Sequence, residues 1–173
     1  MRILALLLTM TLCACATTTR LGAAGDVHEL LLAIRDNDTR TFERHIDREA
    51  LKRQIEGRLV REARASAPPA LRGLGIALAQ PAAEMASAAL INPRALRLTA
   101  EHYGYTPDQP IPGRTAIAAS LKYLDNGRVC ATAKKDGPCL LIFTEHNGEW
   151  RLSGFEGDLS SLRGALARAK GGA

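Results

Sequence analysis

Apolar positions along this chain change rhythm twice, and each change marks a different kind of element. Ile3 to Leu12 is a run without a single charge. From Val27 to about His102 the apolar positions recur every three or four residues, the period of a helix with one buried face. From Thr115 the period changes, and from Ser120 to Phe155 apolar positions alternate, the period of a strand. The first half is therefore predicted to be helical and the second to be an antiparallel sheet.

Within the helical half, Asp26-Val27-His28-Glu29 has the spacing of a capping box, so a first helix is expected from Val27 to Arg35 with Leu30, Leu31 and Ile34 inside. Asp36-Asn37-Asp38 ends it. Asp38 can cap a second helix, with Phe42 and Ile46 on one face, and Asp47 a third from Arg48 to about Ala65. Leu51, Ile55 and Leu59 give that third helix an i, i+4, i+8 stripe. Its other face is charged, with Glu49–Arg53 and Lys52–Glu56 spaced for pairing. That face reads either as solvated surface or as a docking face for an anionic membrane, and solvated surface is the simpler reading. Pro68-Pro69 breaks the pattern. Leu74 to Ile91 is nearly uncharged, but Pro81 and Glu84 interrupt it and no run reaches the roughly 20 residues of a membrane span. A kinked helix packed in the core is predicted there. Asn92 caps the next helix with Pro93 at its first position, and Leu96, Ala100 and Tyr103 on its inner face. Gly104 to Gly113 holds three prolines and is expected to be a loop.

In the second half, Ser120 to Leu124 alternates and runs into Asp125-Asn126-Gly127, a strong hairpin signal because Asn-Gly accepts positive φ. Arg128 to Ala133 is the predicted return strand, Cys139 to Glu145 the third and Trp150 to Phe155 the fourth, after Asn147-Gly148. The fold class is thus α+β: a helical N-terminal half packed on a C-terminal antiparallel meander of about four strands. From Ser160 a weak helix and a frayed tail are expected.

The N-terminal run changes the picture of where this domain works. As a helix it spans only about 15 Å, half a bilayer core, so it fits an export signal rather than a permanent anchor. Leu12-Cys13-Ala14-Cys15 resembles the lipobox of bacterial lipoproteins, with a branched side chain three places before the cut, a small one just before it, and the Cys15 thiol as the acyl acceptor. That reading gives a signal peptide over 1–14, a tether over 15–25, one domain over 26–159 and the tail over 160–173. Ala16 after the lipidated cysteine points, by resemblance to Gram-negative sorting, to an outer-membrane protein facing the periplasm. Ala14-Cys15-Ala16 also reads as an ordinary A-x-A site, and cleavage after Ala16 would release a soluble periplasmic protein.

Length and composition then narrow the function. The 173 residues, 46% apolar and 24% charged, suit one globular domain once the signal is gone. The net charge of +5 is scattered and has no interleaved aromatics, so nucleic acid is not an expected partner. A loose affinity for anionic lipid or an envelope protein is compatible with it. With Cys13 cleaved and Cys15 acylated, Cys130 and Cys139 remain as one pair in an oxidising space, and a disulfide is expected. Their spacing and the scattered His28, His45, His102 and His146 do not suit a metal site. No H-E-x-x-H, G-x-S-x-G, S-x-x-K, Walker A or G-x-G-x-x-G motif occurs, so neither a cofactor nor a catalytic residue is expected. One cluster can be weighed as a pocket. His102, Tyr103 and Tyr105 lie beside the proline loop, with Trp150 as a further platform. These read first as helix-end and core residues, and second as a small-ligand or proton-transfer site.

Several stretches also resemble a bacterial family of exported proteins, the domain of unknown function 2939 family. The string LLAIRDNDTRTFERHIDREALKRQI matches its pattern of apolar helix, D-x-D pause, short helix and hID-x-x-x-L. ASAALINPRALRL resembles its hinge-Pro-helix element, and Trp150-Arg151-Leu152 its W-x-L in the last strand. The family implies an exported small domain with no assigned activity. More loosely, helices followed by a curved antiparallel sheet are similar to cone-shaped folds of the nuclear-transport-factor-2 type, an analogy that bears on fold alone.

Overall fold

The computed structural model describes residues 21–102, 105–124, 126–132 and 137–156. Seven helices precede four strands among them: α1 over 21–36, α2 Thr39–Arg44, α3 Arg48–Ser66, α4 Pro69–Ala77, α5 Ala79–Leu90, α6 Pro93–His102 and α7 Arg114–Ser120, then β1 Leu121–Leu124, β2 Arg128–Thr132, β3 Cys139–His146 and β4 Glu149–Phe155. The sheet is an antiparallel meander in the order β1-β2-β3-β4, so the α+β class holds. No helix among the described residues is long and apolar enough to cross a membrane.

The capping residues act where local chemistry places them. The Asp38 carboxylate accepts from the N–H groups of Arg40 and Thr41, and that of Asp47 from Ala50 N–H at 2.9 Å. Asn92 Oδ1 takes Ala95 N–H at 2.9 Å, ahead of Pro93. Each satisfies a donor that the first turn of a helix otherwise leaves open. The two Asn-Gly turns carry positive φ at both residues, 70° and 69° at Asn126-Gly127 and 54° and 85° at Asn147-Gly148, the twist that closes a two-residue hairpin.

One core joins the two halves. Val129, Phe143 and Leu152 lie side by side across three strands. Phe42, Leu51 and Ile55 from the helices, with Val27 and Leu30 of α1, close over that row. Trp150 is buried there among the core residues. A Cβ placed on Gly22 of α1 would stand 3.8 Å from its indole nitrogen.

Several expectations need correction. The first helix already includes residue 21, not Val27, and Ala23 and Ala24 are fully buried; residues 21–25 are therefore helix and not tether. Asp26 sits inside that helix and caps nothing. Ile46 falls beyond the end of α2 and forms a parallel bridge to Leu152. The pairs within α3 give way to longer reaches: Lys52 binds Glu84 of α5, and Arg48 binds Glu43 and the Ile91 carbonyl. Residues 114–120 form a helix just before the first strand rather than part of the sheet half, since alanine favours helix while the run has too few large apolar side chains to show a period. The predicted kinked core helix is two helices, α4 and α5, and most of their large side chains face outward. The predicted C-terminal helix lies outside the described residues.

Candidate functional site

The cysteine pair is joined. Cys130 is fully buried, its Cα is 5.5 Å from that of Cys139, and the two form a disulfide. They are not directly opposed. Cys130 faces Ile142 and Cys139 faces Thr132, and a register shift between Ala131 and Thr132 lets the bond cross diagonally. Cys15 lies outside the described residues.

The proposed pocket cluster is only partly placed. Tyr103 and the His102 side chain lie outside the described residues. Tyr105 N–H donates to the Ala100 carbonyl and closes the end of α6, while its hydroxyl oxygen is buried with no hydrogen-bond partner. No described contact joins Tyr105 to Trp150. Among the described residues, no three His, Cys, Asp or Glu side chains gather as metal ligands would.

The most developed polar constellation is one that sequence reasoning missed. Strand β4 is the last in the sheet, so its outer edge would present unpaired N–H and C=O groups. Side chains and backbone from α1, α3 and the turn between α2 and α3 close that edge. Trp150 N–H donates to Asp26 Oδ2 at 2.7 Å. Leu152 N–H donates to the His45 carbonyl at 2.8 Å, and Asp47 N–H donates to the Leu152 carbonyl at 2.9 Å, continuing the sheet for one residue. At Phe155 the Gln54 amide replaces a peptide group: its Oε1 accepts from Phe155 N–H at 3.0 Å and its Nε2 donates to the carbonyl at 2.7 Å. Arg58 adds a second donor to that carbonyl at 2.8 Å and lays its guanidinium over the Phe155 ring at 4.4 Å. His45, itself buried, places Nδ1 3.4 Å from the Trp150 carbonyl and Nε2 3.3 Å from Glu29 Oε2. An imidazole with one proton can donate to only one of those two acceptors. This arrangement clasps helices to sheet; it holds no nucleophile beside a base.

Surface carboxylates carry a modest acid signature. Thr41, through its hydroxyl and N–H, and Arg40 N–H hold the Asp38 carboxyl below its usual value of 3.8. Hydrogen bonding from Arg151 likewise lowers Glu149 from its usual 4.5. A lowered folded value means that the carboxylate stabilises the fold fully above the usual value and loses that contribution as pH falls through the lowered one. The urea midpoint is therefore expected to drop between about pH 5 and 3. Asp38→Asn should flatten the part of that drop below about pH 4, an effect that added salt shrinks because the group is exposed.

A family model described as a protein of unknown function (DUF2939) matches residues 8–98, more than half of the chain and all of it ahead of the sheet. No curated protein and no solved structure matches the chain. The matched segment contains the D-x-D pause at Asp36-Asn37-Asp38, the capped α2 and α3, and the Asn92-Pro93 hinge, and the chain belongs to this family of proteins of unknown function, DUF2939.

Proposed function

We propose that this protein is a lipid-anchored domain of the bacterial cell envelope, held through Cys15 and facing the periplasm at the outer membrane, with a non-enzymatic binding or structural role. The observation that carries this reading is the disulfide between buried Cys130 and Cys139, since such bonds persist in oxidising compartments and are rare in reducing ones. The Leu12-Cys13-Ala14-Cys15 tetrad supplies the anchor, and the edge clasp favours a rigid scaffold over a moving one.

Metabolic labelling with an alkyne fatty acid tests it. The wild-type chain should take label and Cys15→Ser should lose it, while the intact mass should correspond to a chain starting at residue 15 plus its acyl groups. A mass starting at residue 17 with no acyl group would instead support the soluble periplasmic alternative. A pocket for a small ligand, or an enzyme site, near His102, Tyr103 and Tyr105 is the second reading. It is favoured by the buried, unpartnered Tyr105 hydroxyl.

A further inference from the structure

We infer that the outward surface of α4 and α5 docks flat on an anionic lipid bilayer. Helix α4 buries none of its residues, which is unusual for a segment of its composition. Leu71, Leu74 and Leu78 are 54%, 58% and 53% exposed, and Met85 on α5 is 71% exposed. Their spacing of three, four and seven residues is that of one helical stripe. Leu78 keeps helical backbone angles between the two helices, so the stripe runs from one into the other. Folding has not hidden these side chains because α4 approaches the domain through its small residues. A Cβ on Gly75 would meet the Ala63 Cβ of α3 at 3.0 Å, so α4 approaches α3 closely at this small residue while its leucines stay exposed.

The charge around the stripe selects the partner. Ala63 to Ala83 contains no acidic residue, and its two charges are the exposed Arg64 and Arg72. Exposed Arg61, Glu62 and Arg94 flank the segment. The acid that follows, Glu84, is taken up by Lys52. Apolar side chains beside Arg64 and Arg72, with no acid from residue 63 to 83, suit a helix lying at the boundary of acidic head groups and acyl chains. The apolar stripe is too short and interrupted to cross that bilayer. Reach adds a further argument, one that rests on the lipid-anchored reading. Acyl chains on Cys15 leave residues 16–20 before the first described helical residue, at most about 18 Å of extended chain. The nearest large apolar phase is then the bilayer itself.

The mature chain from residue 15, carrying Cys15→Ser so that no acyl group contributes, should co-sediment with vesicles of phosphatidylethanolamine and phosphatidylglycerol. It should bind pure phosphatidylcholine vesicles far less, and added salt should weaken binding. Leu74→Ser with Leu78→Ser should weaken binding at least tenfold. Arg64→Gln and Arg72→Gln should each weaken it about fivefold, the share of one basic side chain close to an anionic surface. Thermal melts of all variants should match the parent, because the substituted side chains are exposed. Absence of binding to the anionic vesicles, or binding indifferent to these substitutions, overturns the proposal. So does a dimer in sedimentation that Leu74→Ser with Leu78→Ser dissolves, since the stripe would then serve a second copy of the chain. Failure here leaves the fatty-acid labelling result standing, and failure of labelling leaves this one standing.

Discussion

Gln54→Leu should lower the unfolding free energy by about 2–3 kcal/mol, read as a fall in the urea midpoint at unchanged slope. Leucine keeps most of the volume and removes both hydrogen bonds to Phe155 at once. Each net bond is worth about 1 kcal/mol, and the Phe155 N–H, half shielded from water, is left without its acceptor. Arg58 still holds the carbonyl, which limits the loss. Gln54→Asn should lose nearly as much, because an amide one methylene shorter does not reach the strand. Gln80→Leu, on the exposed side of α5, should stay within about 0.5 kcal/mol of the parent. A Gln54→Leu variant as stable as the parent would mean that water repairs the strand edge and that the clasp is incidental.

The clasp explains why the helical half and the sheet act as one body. Asp26 comes from α1, Gln54 from α3, and His45 and Asp47 from the turn between α2 and α3, and their partners on β4 lie about a hundred residues further along the chain. An end strand finished in this way is not open to pairing with another chain. The Ile46–Leu152 bridge is the one point where the closure uses backbone on both sides; elsewhere side chains stand in for a fifth strand. That choice costs little, since Gln54 and Arg58 both lie on α3, which Asp47 caps, and are ordered by that helix.

What could be read from the sequence was whatever depends on neighbours along the chain. The caps at Asp38, Asp47 and Asn92, the stripe of Leu51 and Ile55, and both Asn-Gly turns are contacts within four residues, and they stand where the sequence puts them. The strands follow because the turns fix the hairpins between them. What could not be read depends on distant partners. Asp26 has the spacing of a cap, yet its carboxylate serves Trp150, 124 residues away. Gln54 on a charged helix face carries no local signal at all. The uncharged stretch from Leu74 to Ile91 looks like core because composition cannot report which side of a helix another helix covers. The candidate pocket was legible only as a cluster of residue types, and of its members the structure places the side chains of Tyr105 and Trp150, with no described contact between them. The cysteine pairing followed from there being one pair left, whereas its diagonal geometry rests on a bulge between Ala131 and Thr132 that no sequence period reveals.

Replacing both members of that pair, Cys130→Ala with Cys139→Ala, should cost about 2.6 kcal/mol by the loop-entropy relation for a closure of nine residues. The same loss should follow treatment of the parent with a reductant under denaturing conditions, and the double variant should then be insensitive to the reductant. Two opposed terms decide whether the full value appears. Cys130 is fully buried beside Ile142, so alanine there leaves a small void and adds to the loss. Cys139, partly exposed at the start of β3, leaves none. The single variant Cys139→Ala should therefore lose the entropy contribution alone, and Cys130→Ala slightly more, with the free thiol of the partner detectable by alkylation in each. The effect should appear mainly in the unfolded chain, because the bond joins two strands that their hydrogen bonds already hold together, and the native sheet should persist after reduction at low temperature. Loss of the β2–β3 pairing in the reduced, folded protein, seen as fast amide exchange from Arg128 to Thr132, would show instead that the bond holds the bulged register in place and that the sheet's third strand depends on an oxidised environment.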